Sequence, residues 1–479
     1  MIFEGIEPQV VLNYFEDICS IPRPSYDEKK ISDYLVDFAK QRGLEVFQDS
    51  SYNVVIKKPA SLNRENDASI ILQAHIDMVT AKDEGVEVDF HKDGVIPYVD
   101  GDLIKAKGTT LGGDDGIGMA MILAILDSDD ISHPMIEAVF TVSEEVGLDG
   151  AANLDYSLLQ SKKMINIDSE EDYQMTVGCA GGCRADITFN YKKKKEKGLI
   201  YELIIDGLNG GHSGIEIDKG NANANVLMGR VLSRVSDNMN ISLISCAGGD
   251  KDNAICPMCK AYVLINRKDE EKFIKNIEKV KDEIKGEYSV VEKNFDILLQ
   301  KQKQKKAKVL CYEDFLRVII LLTVMPDGVQ KMSQHIPGLV ETSLNIGVLK
   351  IEDGLVESGY AIRSNIESGL DWLVDRVTTL AKSLGANISI HGRYPAWENQ
   401  GISNFAKEIV EKYKYLYNEE LSVVTIHAGL ECGLFYQKIP NLEAVSIGPN
   451  LYGAHTTKES VSISSIQKEW RFLLEILNS

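Results

Sequence analysis

The stretch SYDEKKISDYLVDFAKQRGLEV, from about residue 24 to 45, opens on a serine, places apolar residues at helical spacing and closes near a glycine. That pattern predicts an amphipathic helix. The runs that follow, EVFQDSSYNVVIKKP and ASIILQAHIDMV, are rich in β-branched residues and predict strands. GIGMAMILAILD at 116–127 predicts a helix with one strongly apolar face, and MIEAVFTVS and KKMINIDSE predict two more short strands. Strands that alternate with helices indicate an α/β layer over a buried sheet.

The middle of the chain changes character. ADITFNYKKKKEKGLIYELIIDGL, from about 185 to 205, predicts a hairpin with a lysine-rich, solvated turn. A helix over NANANVLMGRVLSRVSD, strands near 241–249 and 254–267, and a charged amphipathic helix over DEEKFIKNIEKVKDEIKGEY come next. EYSVVEKNFDILLQKQ adds a strand and a polar spacer. A second round follows with FLRVIILLTVMPDG, the paired run SLNIGVLKIEDGLVESGYAIRSNI, a helix over LDWLVDRVTTLAKSLG and a strand at ANISIHGR. Two rounds of helix plus hairpin indicate a pseudo-duplicated α+β insert. Past RYPAW the α/β style returns and ends in a helix over SISSIQKEWRFLLEILN. The expected fold is thus α/β with a mixed sheet, built from 1–186 and 395–479, interrupted by an α+β domain over 187–394.

Length supports this division, since 479 residues exceed one ordinary core. The formal net charge of -20 argues against a nucleic-acid surface, which needs a positive footprint. No apolar run is long enough to span a bilayer. MIFEGIEPQVVLNYFEDIC lacks the basic-then-apolar order of a leader, so a cytoplasmic location is expected. Eight thinly spread cysteines suit a reducing compartment. Cys256 and Cys259 have the spacing of half a zinc knuckle, but no second pair follows, and they are read as an incidental buried pair.

The candidate chemistry lies where the predicted strands end. His75 and Asp77 in ILQAHIDMVT are two apart, so on a strand they share a face. His75 could bind a metal while Asp77 orients its ring; a satisfied core histidine is the alternative. Asp114 and Asp115 in GTTLGGDDGIGMA precede a helix, where acids are stabilised without any metal. Glu144 and Glu145 end one predicted strand and Asp168 ends another, and open α/β sheets collect active groups at the carboxyl ends of their strands. His455 sits in the Gly- and Thr-rich loop GPNLYGAHTTKES. Two histidines, two aspartates and one glutamate could hold two metal ions around one bridging acid, with nitrogen and oxygen ligands that suit zinc. The adjacent glutamate is then free to take a proton from a water and pass it to a leaving amine.

HIDMV, KGTTLGGDDGIGMA, TVSEEVGLDGA, INIDSEE, NGGHSG, HAGLECG and GAHTTKES, in this order, resemble the motifs of the M20 metallopeptidase family, and within it the aminoacyl-histidine (Xaa-His) dipeptidases. The resemblance covers nearly the whole chain. It implies a catalytic zinc-peptidase domain with an inserted lid, and two divalent ions, zinc first, with cobalt or manganese as options. It implies His75 and Asp168 on one ion, Glu145 and His455 on the other, and Asp114 between them. Asp77 would orient His75, and Glu144 would be the general base and later the proton donor. The family's usual text has Asn where this chain has Asp115, a departure beside a ligand that bears on local charge and metal preference.

In the insert, His212 is similar to a histidine that stabilises the tetrahedral oxyanion, often from across a domain or dimer interface; a donor aimed at developing negative charge lowers the barrier. Asn253 and Arg363 are candidates for the substrate carboxylate, Arg363 through its paired donors. HAGLECG falls at the substrate end of the cleft in the resemblance, with Glu431 expected to receive a free amino terminus and His427 to brace the loop. The implied activity is hydrolysis of dipeptides and short peptides with a free N-terminus, Xaa-His substrates included, and the lid could pair two copies as a homodimer. An amidase or deacylase of N-acyl amino acids, or a non-catalytic binding protein on this fold, are the competing readings.

Overall fold

The computed structural model describes residues 2–399 and 401–478. The chain forms two compact units, one from Met1–Cys179, Trp397–Thr425 and Leu430–Ser479, the other from Ala180–Ala396 and Ile426–Gly429. The short Ile426–Gly429 piece brings His427 into the second unit.

The first unit is built on an eight-stranded mixed sheet. Its order is Glu45–Gln48, Val54–Lys58, Ile136–Thr141, Ile70–His75, Lys163–Asn166, Glu443–Ser446, Gln174–Cys179 and Ser422–Ile426. Ile70–His75 lies in the middle, parallel to both neighbours, and all six of its residues are buried. This is why the run is apolar throughout rather than alternating. The helix Gly113–Asp127 is apolar around its whole circumference, and its residues from Gly116 to Leu126 are all buried. One face of the helix Gln9–Ser20 (Val11, Leu12, Phe15, Ile18) joins the same core.

Register sets the site. His75 stands opposite Thr141, and Gln73 opposite Asn166, so three adjacent parallel strands end within two residues of one another. His75 and Asp77, Glu144 and Glu145, and Asp168 all follow from those three ends. A separate four-stranded sheet, in the order Leu451–Tyr452, Ser460–Ser462, Leu103–Ala106 and Pro97–Asp100, ties the loop around His455 to the segment leading to Asp114.

The second unit carries a nine-stranded sheet in which every pairing is antiparallel, covered by the helices Ala224–Ser236, Glu270–Tyr288, Tyr312–Val324 and Glu367–Ser383. Two local expectations are corrected here. The run near 185–205 is not a hairpin. Gly181–Asn190 pairs with Leu355–Ser364 and Asn387–Tyr394, while Leu199–Asp206 pairs with Cys259–Ile265 and Asp296–Lys301. The lysines between them are not a turn but a strand, Lys193–Lys197, paired with Lys306–Leu310. In the first unit the predicted first helix starts late, at Lys29. Ser25 does not cap it, because the Ser25 hydroxyl donates to Asp77 Oδ2 at 2.8 Å.

Candidate metal centre

Asp114 is the hub. Its Oδ1 lies 2.9 Å from His75 Nε2, and its Oδ2 lies 3.2 Å from His455 Nε2, so the two oxygens face opposite histidines. Asp168 Oδ1 is 3.5 Å from the same His75 nitrogen, and Glu145 Oε2 is 2.9 Å from His455 Nε2. Ligand-type atoms gather within 4.8 Å as three trios: His75, Asp114 and Asp168; Asp114, Glu145 and His455; His75, Glu144 and Glu145. Glu145 belongs to two of them and Glu144 to one.

The electrostatics call for a cation. Burial pushes the Glu144, Glu145 and Asp168 carboxyls above the ordinary carboxylate range, and the neighbouring acids push them further. Burial opposes the charged His75 ring, yet Asp168, Asp114 and Asp77 together raise its pKa well above the usual value. Hydrogen bonds donated to Asp114 and Glu145 push His455 up to about 11. Protons on the histidines balance the acids, and metal ions would take their place, since metal and proton compete for the same lone pairs. Glu145 Oε1 is buried with no hydrogen-bond partner, and the donors are imidazole nitrogen and carboxylate oxygen. That set fits a pair of divalent ions.

Asp77 lies behind His75: its Oδ1 is 3.3 Å from Nδ1, while the other ring nitrogen, Nε2, is the one beside Asp114. The Asp77 carboxylate also accepts the backbone N–H groups of Glu144 at 3.0 Å and Glu145 at 3.3 Å, so one buried acid fixes the adjacent strand end as well. Burial works against its charge, but His75, Ser25 and the Glu144 N–H outweigh it and lower its pKa.

Asp115 is joined to Asp114 by a cis peptide bond. Its Oδ1 accepts the Gly118 N–H at 3.1 Å, while Oδ2 has no hydrogen-bond partner. Burial, with Asp168 and Asp114 beside it, favours the protonated acid. An asparagine would offer the same acceptor to Gly118 and remain neutral, so the departure is conservative in charge.

Several residues that complete the site carry no signal in the sequence pattern. The fully buried Arg23 guanidinium donates to the carbonyls of Ile76 at 3.1 Å, Asp77 at 2.6 Å and Gly112, linking the His75 strand end to the Asp114 loop. Glu459 accepts the N–H groups of Leu111, Gly112 and Gly113 at 2.7–3.1 Å and of Asp114 at 3.3 Å. Glu28 accepts from Ser143 N at 3.0 Å and Ser143 Oγ at 2.6 Å. Ser143 has φ +51°, a left-handed conformation that non-glycine residues rarely adopt, just before Glu144. Glu170 is pushed up to about 7 by burial and by Asp114 and Asp168. Only its place in INIDSEE, two residues past Asp168, marked it.

Glu431 is fully buried. Its Oε2 accepts from Gln73 Nε2 and Thr141 Oγ1, both at 2.6 Å, and burial raises its pKa to about 7. Oε2 thus braces two neighbouring strands, while Oε1 is buried with no hydrogen-bond partner.

The remaining candidates belong to the second unit. His212 Nδ1 accepts from Gly214 N and Ile215 N, both at 3.2 Å, which leaves the proton of the neutral ring on Nε2. Ser213 N donates to the Asn253 carbonyl at 2.9 Å, so the His212 and Asn253 loops run side by side. Arg363 Nη1 donates to the Tyr394 hydroxyl at 2.8 Å, and its buried Nε has no hydrogen-bond partner. Both nitrogens of His427 are engaged, with Asn365 Oδ1 and Ser343 Oγ each at 2.8 Å. Burial and the Arg363 charge push the ring down to about 3, so it is neutral; Nδ1 donates to Asn365 and Nε2 accepts from Ser343.

The sequence profile described as "Peptidase family M20/M25/M40" matches residues 71–479. The Escherichia coli (strain K12) protein described as cytosol non-specific dipeptidase is 40% identical over 479 residues, 98% of each chain. The crystal structure of aminoacylhistidine dipeptidase from Vibrio alginolyticus aligns with a TM-score of 0.88 at 36% identity, over 99% of this chain and 97% of that one. A Staphylococcus aureus tripeptidase shares the fold, with a TM-score of 0.56 at 18% identity over 99% and 98% of the two chains.

Proposed function

The chain belongs to peptidase family M20/M25/M40, and from that premise we propose that it is a cytosolic metal-dependent dipeptidase acting on small peptides, Xaa-His dipeptides included. The observation that carries the reading is Asp114, whose two oxygens divide between His75 and His455 inside a ring of buried acids. In this reading His75 and Asp168 hold one divalent ion, Glu145 and His455 the other, and Asp114 both, with zinc the first choice. Divalent ions held there would acidify a water and polarise the scissile carbonyl. Glu144 takes the proton from that water and later returns it to the departing nitrogen, a task suited to a buried carboxyl whose pKa is raised. His212 donates from Nε2 to the developing oxyanion. Arg363 and Asn253 receive the substrate carboxylate, and His427 braces the loop behind them.

The second unit, close to the 187–394 expected from sequence, is the lid in this reading. Two copies would pair through it. The helix Tyr312–Val324 supports that pairing, because Tyr312, Leu316, Ile320 and Val324 recur every four residues and are all exposed. The cytosolic assignment rests on the Escherichia coli relative's description. Among the described residues no helix is long and apolar enough to cross a membrane.

One second reading, hydrolysis of N-acyl amino acids at the same centre, would need no acid to receive a free amine, whereas Glu431 keeps Oε1 unpartnered. A panel of dipeptides and N-acetyl amino acids, assayed with each metal added back to stripped protein, separates the two. The dipeptidase reading expects turnover of free dipeptides, Xaa-His among them, and little of the acetylated set. The reverse preference overturns it.

A further inference from the structure

The lysine-rich segments the sequence pattern assigned to a turn and a spacer come together in the fold. Residues 192–197 and 301–308 hold ten lysines and one acid, Glu196, in a chain of net charge -20. Lys193–Lys197 and Lys306–Leu310 form their own two-stranded antiparallel ribbon. Its register sets Lys195 directly opposite Lys308 and Lys197 directly opposite Lys306. Like charges facing each other across strands destabilise the pair.

The two faces of the ribbon differ. Ala307 and Val309 pack inward on Ile200 and Leu264, and Glu196 on the same face is held by Lys194 at 2.7 Å and Ser242 Oγ at 2.8 Å. The outer face presents Lys195, Lys197, Lys306 and Lys308, all exposed, and none of them forms an ion pair among the described residues. The inner face satisfies its charges; on the outer face Lys193 pairs with Asp353 at 3.4 Å and the other four ammonium groups are left open.

We propose that this outer face is a docking surface for a linear inorganic polyphosphate chain. The partner is anionic, because an anion lying along the strip offsets the repulsion of the facing lysine pairs. It must also be narrow. Strands stand about 4.8 Å apart, so the ribbon is a strip, and a broad anionic surface such as a bilayer would meet the acidic remainder of the chain. The two strands themselves carry no aromatic ring on which bases of a single strand could stack. Nor do they carry the Trp, Tyr or Arg anchor that folded protein partners use. Flexible lysine stems with point charges suit phosphate oxygens without demanding a fixed fork geometry.

The test uses the full-length protein and sodium polyphosphate, with binding followed by titration at a salt concentration of about 0.15 M. The principal variant combines Lys195→Glu and Lys197→Glu. Each replaced lysine then faces the opposite charge on Lys308 or Lys306, so the ribbon gains favourable cross-strand pairs while the strip loses its positive field. Saturable binding by the wild type, at least tenfold weaker in the double variant, with a thermal midpoint no lower than the wild type's and unchanged dipeptide turnover in the absence of polyphosphate, is expected. The combined exchange of Lys195, Lys197, Lys306 and Lys308 for Gln should weaken binding as well, with a shallower salt dependence. No binding by the wild type at this salt overturns the proposal, as does equal binding by the double variant. Tighter binding of a single-stranded oligonucleotide, or of anionic vesicles, than of polyphosphate at equal charge overturns it too.

Discussion

Two regions of this protein gather charges of one sign, and they treat them in opposite ways. Around Asp114 the acids are buried, and every remaining oxygen must find a proton, an imidazole or an ion. Along the lysine ribbon the charges are exposed, and water screens them while they wait. Burial, rather than the number of like charges, decides which cluster needs a resident counter-ion. This explains why the acidic site is fixed by Arg23, Asp77, Glu28 and Glu459, while the ribbon packs through its inner face and leaves four lysines in solvent.

The contrast can be broken most severely by removing the counter-ion. Stripping the protein with a chelator should abolish dipeptide hydrolysis and lower the thermal midpoint, and adding back a divalent ion should restore both. A chelated protein of unchanged midpoint would mean the buried acids are satisfied without metal. Next in size, Asp77→Ala removes the orienting group of His75 and the acceptor for Glu144 N and Glu145 N. Loss of such an outer partner typically costs roughly 10–100-fold in metal affinity or activity, measurable by competition with a chromogenic chelator.

A smaller effect is expected at Glu28, whose Oε1 alone accepts from Tyr26 N, Ser143 N and Ser143 Oγ. Glu28→Ala should destabilise by about 1–3 kcal/mol, the usual consequence of stranding buried donors, and should lower kcat more than it raises KM. Glu28→Gln keeps Oε1 and should recover most of both in denaturant melts and steady-state assays; equal damage from the two would assign the effect to packing.

The mildest case is a buried acid away from the metal centre. Burial, with Asp172 nearby, pushes Glu469 from 4.5 up to about 8. As pH rises from the ordinary carboxylate value toward that raised one, the unfolded chain releases a proton that the fold retains, so stability falls through this window. Glu469→Gln should remove that part of the slope, raising the thermal midpoint at pH 8 and leaving it nearly unchanged at pH 4. An identical slope in the variant would mean the group titrates normally.

How much of this was legible follows from where the information lies. Strand ends were readable at His75, Glu144 and Asp168 because apolar runs stop there, and the motif order tied them to Asp114 and His455. Nothing local distinguishes Arg23, Glu28 or Glu459, whose partners lie far along the chain; Glu459 reaches Asp114 across 345 residues. Ser25 looked like the start of a helix because serine caps helices well, yet its hydroxyl serves Asp77 instead. The lysine run was misread for a related reason. Its composition suits a solvated turn, and the strand that pairs with it begins at Lys306, over a hundred residues later. Position in a motif also does not reveal that Gln73 and Thr141 occupy one oxygen of Glu431 and leave the other unpartnered.

The division of labour between the two adjacent glutamates is the centre of the account, and Glu144→Gln tests it most directly when bound metal and turnover are measured on the same sample. The account predicts two divalent ions per chain, as in the wild type, with dipeptide turnover reduced by at least the 10²–10⁴-fold typical of a lost general base. Loss of one ion on this substitution, or turnover close to that of the wild type, would contradict it.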